Sequence, residues 1–156
     1  MEVRLRDADS RDFETLWGVD QQCFPPGIAY SKRELATYMA IRESFTIVAT
    51  DPDEKIVGFL VATPRRNHTG HIITIDVLKE ARRSGIGSKL LVAAEVRLLK
   101  LQCNAVSLET AVDNRSALIF YKRHQYCLIR TVPRYYSNGV DALVLQKDLL
   151  STAQAS

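Results

Sequence analysis

Residues 71–91 read HIITIDVLKEARRSGIGSKLL, and the reading of this stretch decides the fold. His71 to Leu78 is a β-branched run of strand length. Arg82-Arg83-Ser84-Gly85-Ile86-Gly87 follows, and then Leu90, Leu91, Ala94, Leu98 and Leu101 recur at helical spacing. A strand therefore turns sharply into a helix. Backbone N–H groups point out of a helix N-terminus, and glycines at 85 and 87 remove the Cβ atoms that would hold an anion away. The helix dipole adds partial positive charge, and Arg82, Arg83 and Lys89 add full charges. Such a turn suits a pyrophosphate. A Walker loop is excluded, because Gly87-Ser88-Lys89 runs in the wrong order and the turn is too short. A Rossmann loop is excluded too, because Leu90 stands where the third glycine belongs. On pattern alone, a plain strand-to-helix turn with glycines for tightness fits the same letters.

Working outward, Glu2 to Arg6 alternates as a first strand. Asp9 to Gln22 carries Phe13, Leu16, Trp17 and Asp20 at helical spacing. Pro25-Pro26-Gly27 makes 23–30 a loop. Ser31 to Glu34 matches a capping box and starts a second helix through about Ile41. Phe45 to Thr50 and Lys55 to Thr63 form a hairpin around Asp51-Pro52-Asp53. Beyond the decisive stretch, Ala105 to Thr110 reads as a strand, and Asn114 N-caps a helix carrying Ala117, Leu118 and Tyr121. Cys127 to Val132 and Asp141 to Lys147 are the last strands. The order β-α-α-β-β-β-α-β-α-β-β predicts a mixed sheet with helices on its faces, in the α/β or α+β class.

The chain has 156 residues, 46% hydrophobic and 25% charged, with net charge +3. These values are those of a single globular domain, expected over 1–150, and make no strong claim on nucleic acid or membrane. The tail 151–156 reads as unstructured. No apolar run approaches the ~20 residues of a membrane span. Met1 to Asp12 lacks the apolar core of a signal peptide. Cys23, Cys103 and Cys127 have no metal-like spacing and read as reduced, partly buried thiols in a cytoplasmic protein. No metal site is expected.

Arg82-x-x-Gly85-x-Gly87 resembles the acetyl-CoA pyrophosphate loop of the GNAT N-acetyltransferase superfamily. The strand before it is similar to that family's fourth strand, and Asn114 and Tyr121 to its Asn and Tyr on the helix after the fifth strand. Cys23-Phe24-Pro25 and Tyr135-Tyr136 resemble features of the RimI-type group, which acetylates protein N-termini. The resemblance covers roughly residues 2–148. Two positions depart from the pattern: Lys79 stands where a proline is usual, and Gln125-Tyr126 where a Gly-Phe pair is usual.

The resemblance implies a GNAT fold: a mostly antiparallel sheet of about seven strands with four helices. It implies acetyl-CoA held by Ile75 and Val77 on the strand, by Arg82, Arg83, Gly85, Ile86, Gly87 and Ser88 in the turn, and by Asn114 and Tyr121. It implies Glu109, twelve residues before Tyr121, as the general base. His71 is a second candidate base, at a position where some relatives carry a tyrosine working through water. Tyr121 is the candidate general acid, and the Val77 N–H the oxyanion donor. His68 and His124 read as turn and helix-surface residues. Phe24, Pro25 and Tyr30 in one loop, and Tyr135 and Tyr136 in another, are the expected acceptor contacts, since tyrosine offers apolar area and a hydroxyl at low entropy cost.

The acceptor implied is the α-amine of a protein or peptide N-terminus, attacked directly in a ternary complex, by a monomer or weak dimer. A small amine (a polyamine, an amino acid or an aminoglycoside) is the close alternative, and a non-catalytic acetyl-CoA-binding domain is the third. The acceptor loops hold almost no acid, which argues against a polycation.

Overall fold

The computed structural model describes residues 2–150. Seven strands run β1 (Arg4–Asp7), β2 (Phe45–Thr50), β3 (Ile56–Pro64), β4 (Thr69–Val77), β5 (Ala105–Ala111), β6 (Cys127–Val132) and β7 (Ala142–Asp148). Four α-helices accompany them: α1 (Phe13–Cys23), α2 (Lys32–Met39), α3 (Ile86–Lys100) and α4 (Arg115–Arg123). The spatial order is β1-β2-β3-β4-β5-β7-β6. All neighbours are antiparallel except β4 and β5. The expected α+β sheet with four helices is the one found. The tail expected to be unstructured, 151–156, lies outside the described residues.

Local chemistry fixes the helix starts. Ser31 Oγ accepts from Glu34 N at 3.1 Å while the Glu34 carboxylate accepts from Ser31 N at 2.9 Å, the capping box read in the sequence. Asn114 Oδ1 accepts from Ala117 N at 3.2 Å and caps α4. The second helix stops at Met39, two residues before the expected end. Ser44 explains this: its hydroxyl donates to the carbonyls of Met39 and Ile41 and closes the chain into a turn.

The core forms where α1 packs on β3 and β4, and α3 on β2, β3 and β4. Phe59, Leu60, Leu90, Leu91, Leu98 and Val106 are fully buried there. One of the carboxylates buried nearby is hydrogen-bonded at both oxygens. Glu95 of α3 accepts from Lys147 Nζ at 2.9 Å and from the Tyr126 hydroxyl at 2.7 Å. Cys103 is buried and Cys23 half-buried, but Cys127 is exposed on the edge strand β6, unlike the partly buried thiol expected. Alternation could not place it, because β6 is solvent-facing along nearly its whole length.

What positions the site is a break in the sheet. β4 and β5 pair only at Thr69–Ala105, Gly70–Val106 and His71–Ser107. Beyond those pairs both strands continue with no shared ladder. β4 also bulges: Val61 opposes Thr74 and Ala62 opposes Ile72, leaving Ile73 unmatched. A bulge bends its strand and redirects its polar groups. The result is a wedge-shaped gap with β4 on one side and β5 on the other.

Candidate active site

The backbone of β4 supplies the first wall. Leu78 N donates to Val57 O at 2.9 Å, so Leu78 and Val57 form a hydrogen-bonded antiparallel pair. Such pairs alternate, so at the next pair, Gly58–Val77, the polar groups of Val77 point away from β3 and into the gap. Ile75, two residues earlier and opposite Leu60, shares that orientation. The Val77 carbonyl is already engaged, accepting from Arg82 Nε at 2.9 Å and from the Cys23 thiol at 3.4 Å. Burial, the largest influence, and the nearby Asp76 push the Cys23 thiol up to about 11, so it donates as an ordinary un-ionised thiol.

The turn after β4 is shaped for an anion. Gly85 precedes α3 at φ 82 and offers no capping side chain, so the first-turn amides of α3 have no side-chain partner. Gly87 lies under Phe120, where an added Cβ would sit 3.3 Å from the ring. Arg83 also takes a left-handed φ of 64 and its side chain is exposed. Two residues named for this turn have their side chains engaged elsewhere. The Ile86 side chain is buried in the core at 1% exposure, so only its backbone can face a ligand. The Ser88 hydroxyl shares a 2.9 Å hydrogen bond with His124 Nε2, a contact the sequence reading missed when it assigned His124 to the helix surface.

His71 and Glu109 meet across the root of the gap. His71 Nε2 lies 2.6 Å from Glu109 Oε2. The two candidate bases are therefore one hydrogen-bonded unit. His71 is 5% exposed, and its Nδ1 is buried without a hydrogen-bond partner. Burial raises the Glu109 pKa, but the His71 hydrogen bond, with the charges of His71, Arg65 and Arg130, outweighs burial and holds it below the ordinary value. Strand register explains Arg130. Glu109 opposes Val144, and Val144 opposes Arg130, so the three side chains share one face across β5, β7 and β6. Sequence order hides this, because β7 inserts between β5 and β6.

Tyr121 on α4 is buried in the aromatic contacts of Phe120 and Tyr126. Burial first, then the charges of Asp76 and Tyr136, push its pKa up, so the hydroxyl keeps its proton throughout the ordinary pH range. Asn114 spends its carbonyl oxygen on the helix cap.

The two acceptor loops are tied to each other. The Gly27 carbonyl accepts from Ser137 N at 3.2 Å and Ser137 Oγ at 2.9 Å. Gly27 has φ 90, and an added Cβ would fall 2.6 Å from Asn138 Cβ. Phe24 is half-buried at the end of α1; Pro25 is exposed, and its carbonyl accepts from the amides of Ile28 and Ala29. Tyr30 is anchored at both ends. Its N–H donates to Asp20 Oδ2 at 2.7 Å, its carbonyl accepts from Trp17 and Gln21, and its hydroxyl donates to Ile73 O at 3.1 Å. Tyr135 and Tyr136 stack edge to face at 4.9 Å, and both are influenced by the Glu109 charge. The two loops are thus joined at Gly27 and Ser137, and the second of them carries the tyrosines that the Glu109 charge reaches. Among the described residues, no cluster of three or more His, Cys, Asp or Glu could hold a metal, and no helix is long and apolar enough to cross a membrane.

A gapped sheet of this order, with an open helix start beside the gap, defines an acyltransferase of the GNAT class. The chain belongs to the acetyltransferase (GNAT) family, whose pattern it matches over residues 5–126. GNAT acetyltransferases use acetyl-CoA. It is similar to N-alpha-acetyltransferase 30 of Schizosaccharomyces pombe, with 33% identity over 117 residues, 72% of this chain and 77% of that one. It is also similar to an uncharacterised N-acetyltransferase of Methanocaldococcus jannaschii, with 29% identity over 144 residues, 92% and 90% of the two chains. A chain in the crystal structure of the NatC complex bound to Gag peptide and CoA superposes with TM-score 0.80 at 26% identity, covering 95% of this chain and 99% of that one.

Proposed function

We propose that the protein, as one domain over 1–150, transfers acetyl from acetyl-CoA to the α-amine of a protein or peptide N-terminus. The observation that carries this reading is the His71–Glu109 hydrogen bond at 2.6 Å, set at the root of the gap beside the tied tyrosine loops. An α-amine has a pKa of ~7.7–8.0 and a lysine ~10.4, so deprotonating the lysine costs ~3.5 kcal/mol more. One modest base suffices for the first and not for the second.

The residues fit the coenzyme. The inward-facing backbone of Ile75 and Val77 would hold its arm, and the open amides at 85–88 with Arg82 and Arg83 would hold its pyrophosphate. When bound, it supplies an activated acetyl group as a thioester. Glu109, whose side chain stays 20% exposed, takes the amine proton through water, and its hydrogen bond to the buried His71 Nε2 orients the carboxylate for that role. The Val77 N–H, which points into the gap, would stabilise the negative charge that develops on the thioester oxygen. Tyr121 keeps its hydroxyl proton and would donate it as a hydrogen bond to the leaving sulfur. Arg65 and Arg130 beside Glu109 disfavour a polycationic acceptor and favour the neutral form of a single amine.

The test is intact-mass detection of acetyl transfer to two peptide pools, one with free N-termini and no lysine, the other with blocked N-termini and internal lysines. Transfer confined to the first pool is expected. Transfer confined to the second, or to neither while a polyamine is acetylated, overturns the reading.

A further inference from the structure

Behind Tyr30, two carboxyl groups face each other in the core. Asp20 of α1 is 0% exposed and Asp76 of β4 is 1% exposed. Each keeps one oxygen in ordinary use. Asp20 Oδ2 accepts the Tyr30 N–H at 2.7 Å, and Asp76 Oδ1 accepts the Thr74 hydroxyl at 2.5 Å. Each also has one buried oxygen, Asp20 Oδ1 and Asp76 Oδ2, with no donor. Two buried carboxylates cannot both satisfy their lone pairs or tolerate each other's charge. A single proton resolves both orphans, since a protonated Asp76 can donate to Asp20.

We propose that Asp20 and Asp76 share one proton as a buried acid pair, and that this pair positions Tyr30 for the acceptor. The bonded chain runs from Thr74 to Asp76, to Asp20, to the Tyr30 backbone; the Tyr30 hydroxyl closes back onto Ile73 of the same strand. The pair thereby stitches the acceptor loop to the wall of the gap. Burial, then the hydrogen bond and charge of Asp20, raise the Asp76 pKa well above the ordinary carboxyl value, against the opposing effects of Thr74 and Arg82. α1 brings Asp20 and Cys23, the acceptor loop brings Tyr30, the turn after β4 brings Arg82, and α4 brings Tyr121. β3 sets uncharged Phe59 opposite Asp76. Among the described residues, Arg82 is the cation that acts on Asp76, and its Nε donates to the Val77 carbonyl.

This inference rests on Tyr30 being an acceptor contact, but its test needs no acceptor. In protein labelled with ¹³C at the aspartate carboxyls, one signal should hold the protonated position at neutral pH and vanish in Asp76→Asn. All carboxyls ionised at neutral pH would overturn the pair. The positioning role is read from hydrogen exchange of the Tyr30 amide. Asp76→Asn keeps a donor to Asp20 with no proton to lose, so Tyr30 exchange should stay within about twofold of wild type and be flat with pH. Asp76→Val removes the donor, and exchange should quicken about tenfold or more. In wild type, exchange beyond the ordinary base-catalysed rise should appear at alkaline pH, once the shared proton leaves. Equal behaviour of the two variants overturns the positioning role. With the amine that the enzyme acetylates, KM for the acceptor should follow the same order while KM for acetyl-CoA stays level.

Discussion

Replacing Gly27 by alanine tests whether the two acceptor loops work as one unit. Gly27 has φ 90, where an L-residue pays roughly 1–2 kcal/mol. The new Cβ would also meet Asn138 Cβ at 2.6 Å and Asn138 N at 3.0 Å, and backbone at that distance cannot swing aside as a flexible side chain would. The loops must part, which weakens the two hydrogen bonds from Ser137 into the Gly27 carbonyl. At ~0.5–1.5 kcal/mol each, their loss amounts to ~1–3 kcal/mol. With 1.4 kcal/mol per factor of ten, kcat/KM for a peptide acceptor should fall ~5- to 150-fold. The acetyl-CoA Kd should move far less, because the Gly27–Ser137 tie lies between the two acceptor loops and not on the turn at 82–88. Steady-state acetylation at varied peptide, with calorimetric titration of acetyl-CoA and a melting curve, separates the cases. A folded Gly27→Ala protein whose peptide kcat/KM stays within twofold of wild type would refute the reasoning.

Four further variants carry expected outcomes. Glu109→Gln should lower kcat by ~100-fold or more, as for loss of a general base or its partner. Its depressed pKa means the wild-type carboxylate contributes stability above the ordinary value of 4.5 that is lost as pH falls through the folded pKa, so acid unfolding of the variant should be flatter below about pH 4.5. Tyr121→Phe should keep acetyl-CoA affinity and lose turnover by ~10-fold or more; unchanged turnover removes the hydroxyl from the mechanism. Lys147→Ala strands the buried Glu95 carboxylate and should cost ~3–5 kcal/mol in chemical denaturation. Gln125→Gly should stabilise the fold by ~1 kcal/mol, because Gln125 follows α4 at φ 67 with its N–H on Lys122 O, and a midpoint at or below wild type would contradict this.

The legible parts of this molecule are those set by neighbours in sequence. The strand, turn and helix of 71–100 declare themselves through periodicity and two glycines, and the Ser31 and Asn114 caps through residue type at fixed offsets. The missing glycine at Gln125 is a local signal too, and the chain adopts the left-handed turn regardless. The illegible parts depend on strand order. His71 and Glu109 were rivals as separate letters, and only the three-pair junction of β4 and β5 makes them one unit. Arg130 reaches the Glu109 row only because β7 lies between β5 and β6. Asp20 reads as a helix-face residue and Asp76 as a strand residue, 56 positions apart, and nothing in either segment announces a shared proton. Ile86 looked like part of an anion loop, yet the helix it opens turns that side chain into the core.

A sheet joined over three residue pairs resembles a tuning fork. The stem is the Thr69–His71 and Ala105–Ser107 ladder, and the tines are the free lengths of β4 and β5. Tines without a shared ladder are where opening costs least, so amides facing the gap should lose protection before those of β2 and β3. Any ligand that lodges between them damps that motion and adds stability that grows with the logarithm of its concentration. The melting temperature of the protein thus becomes a gauge of how much of that ligand surrounds it, and its survival against proteolysis follows the same supply.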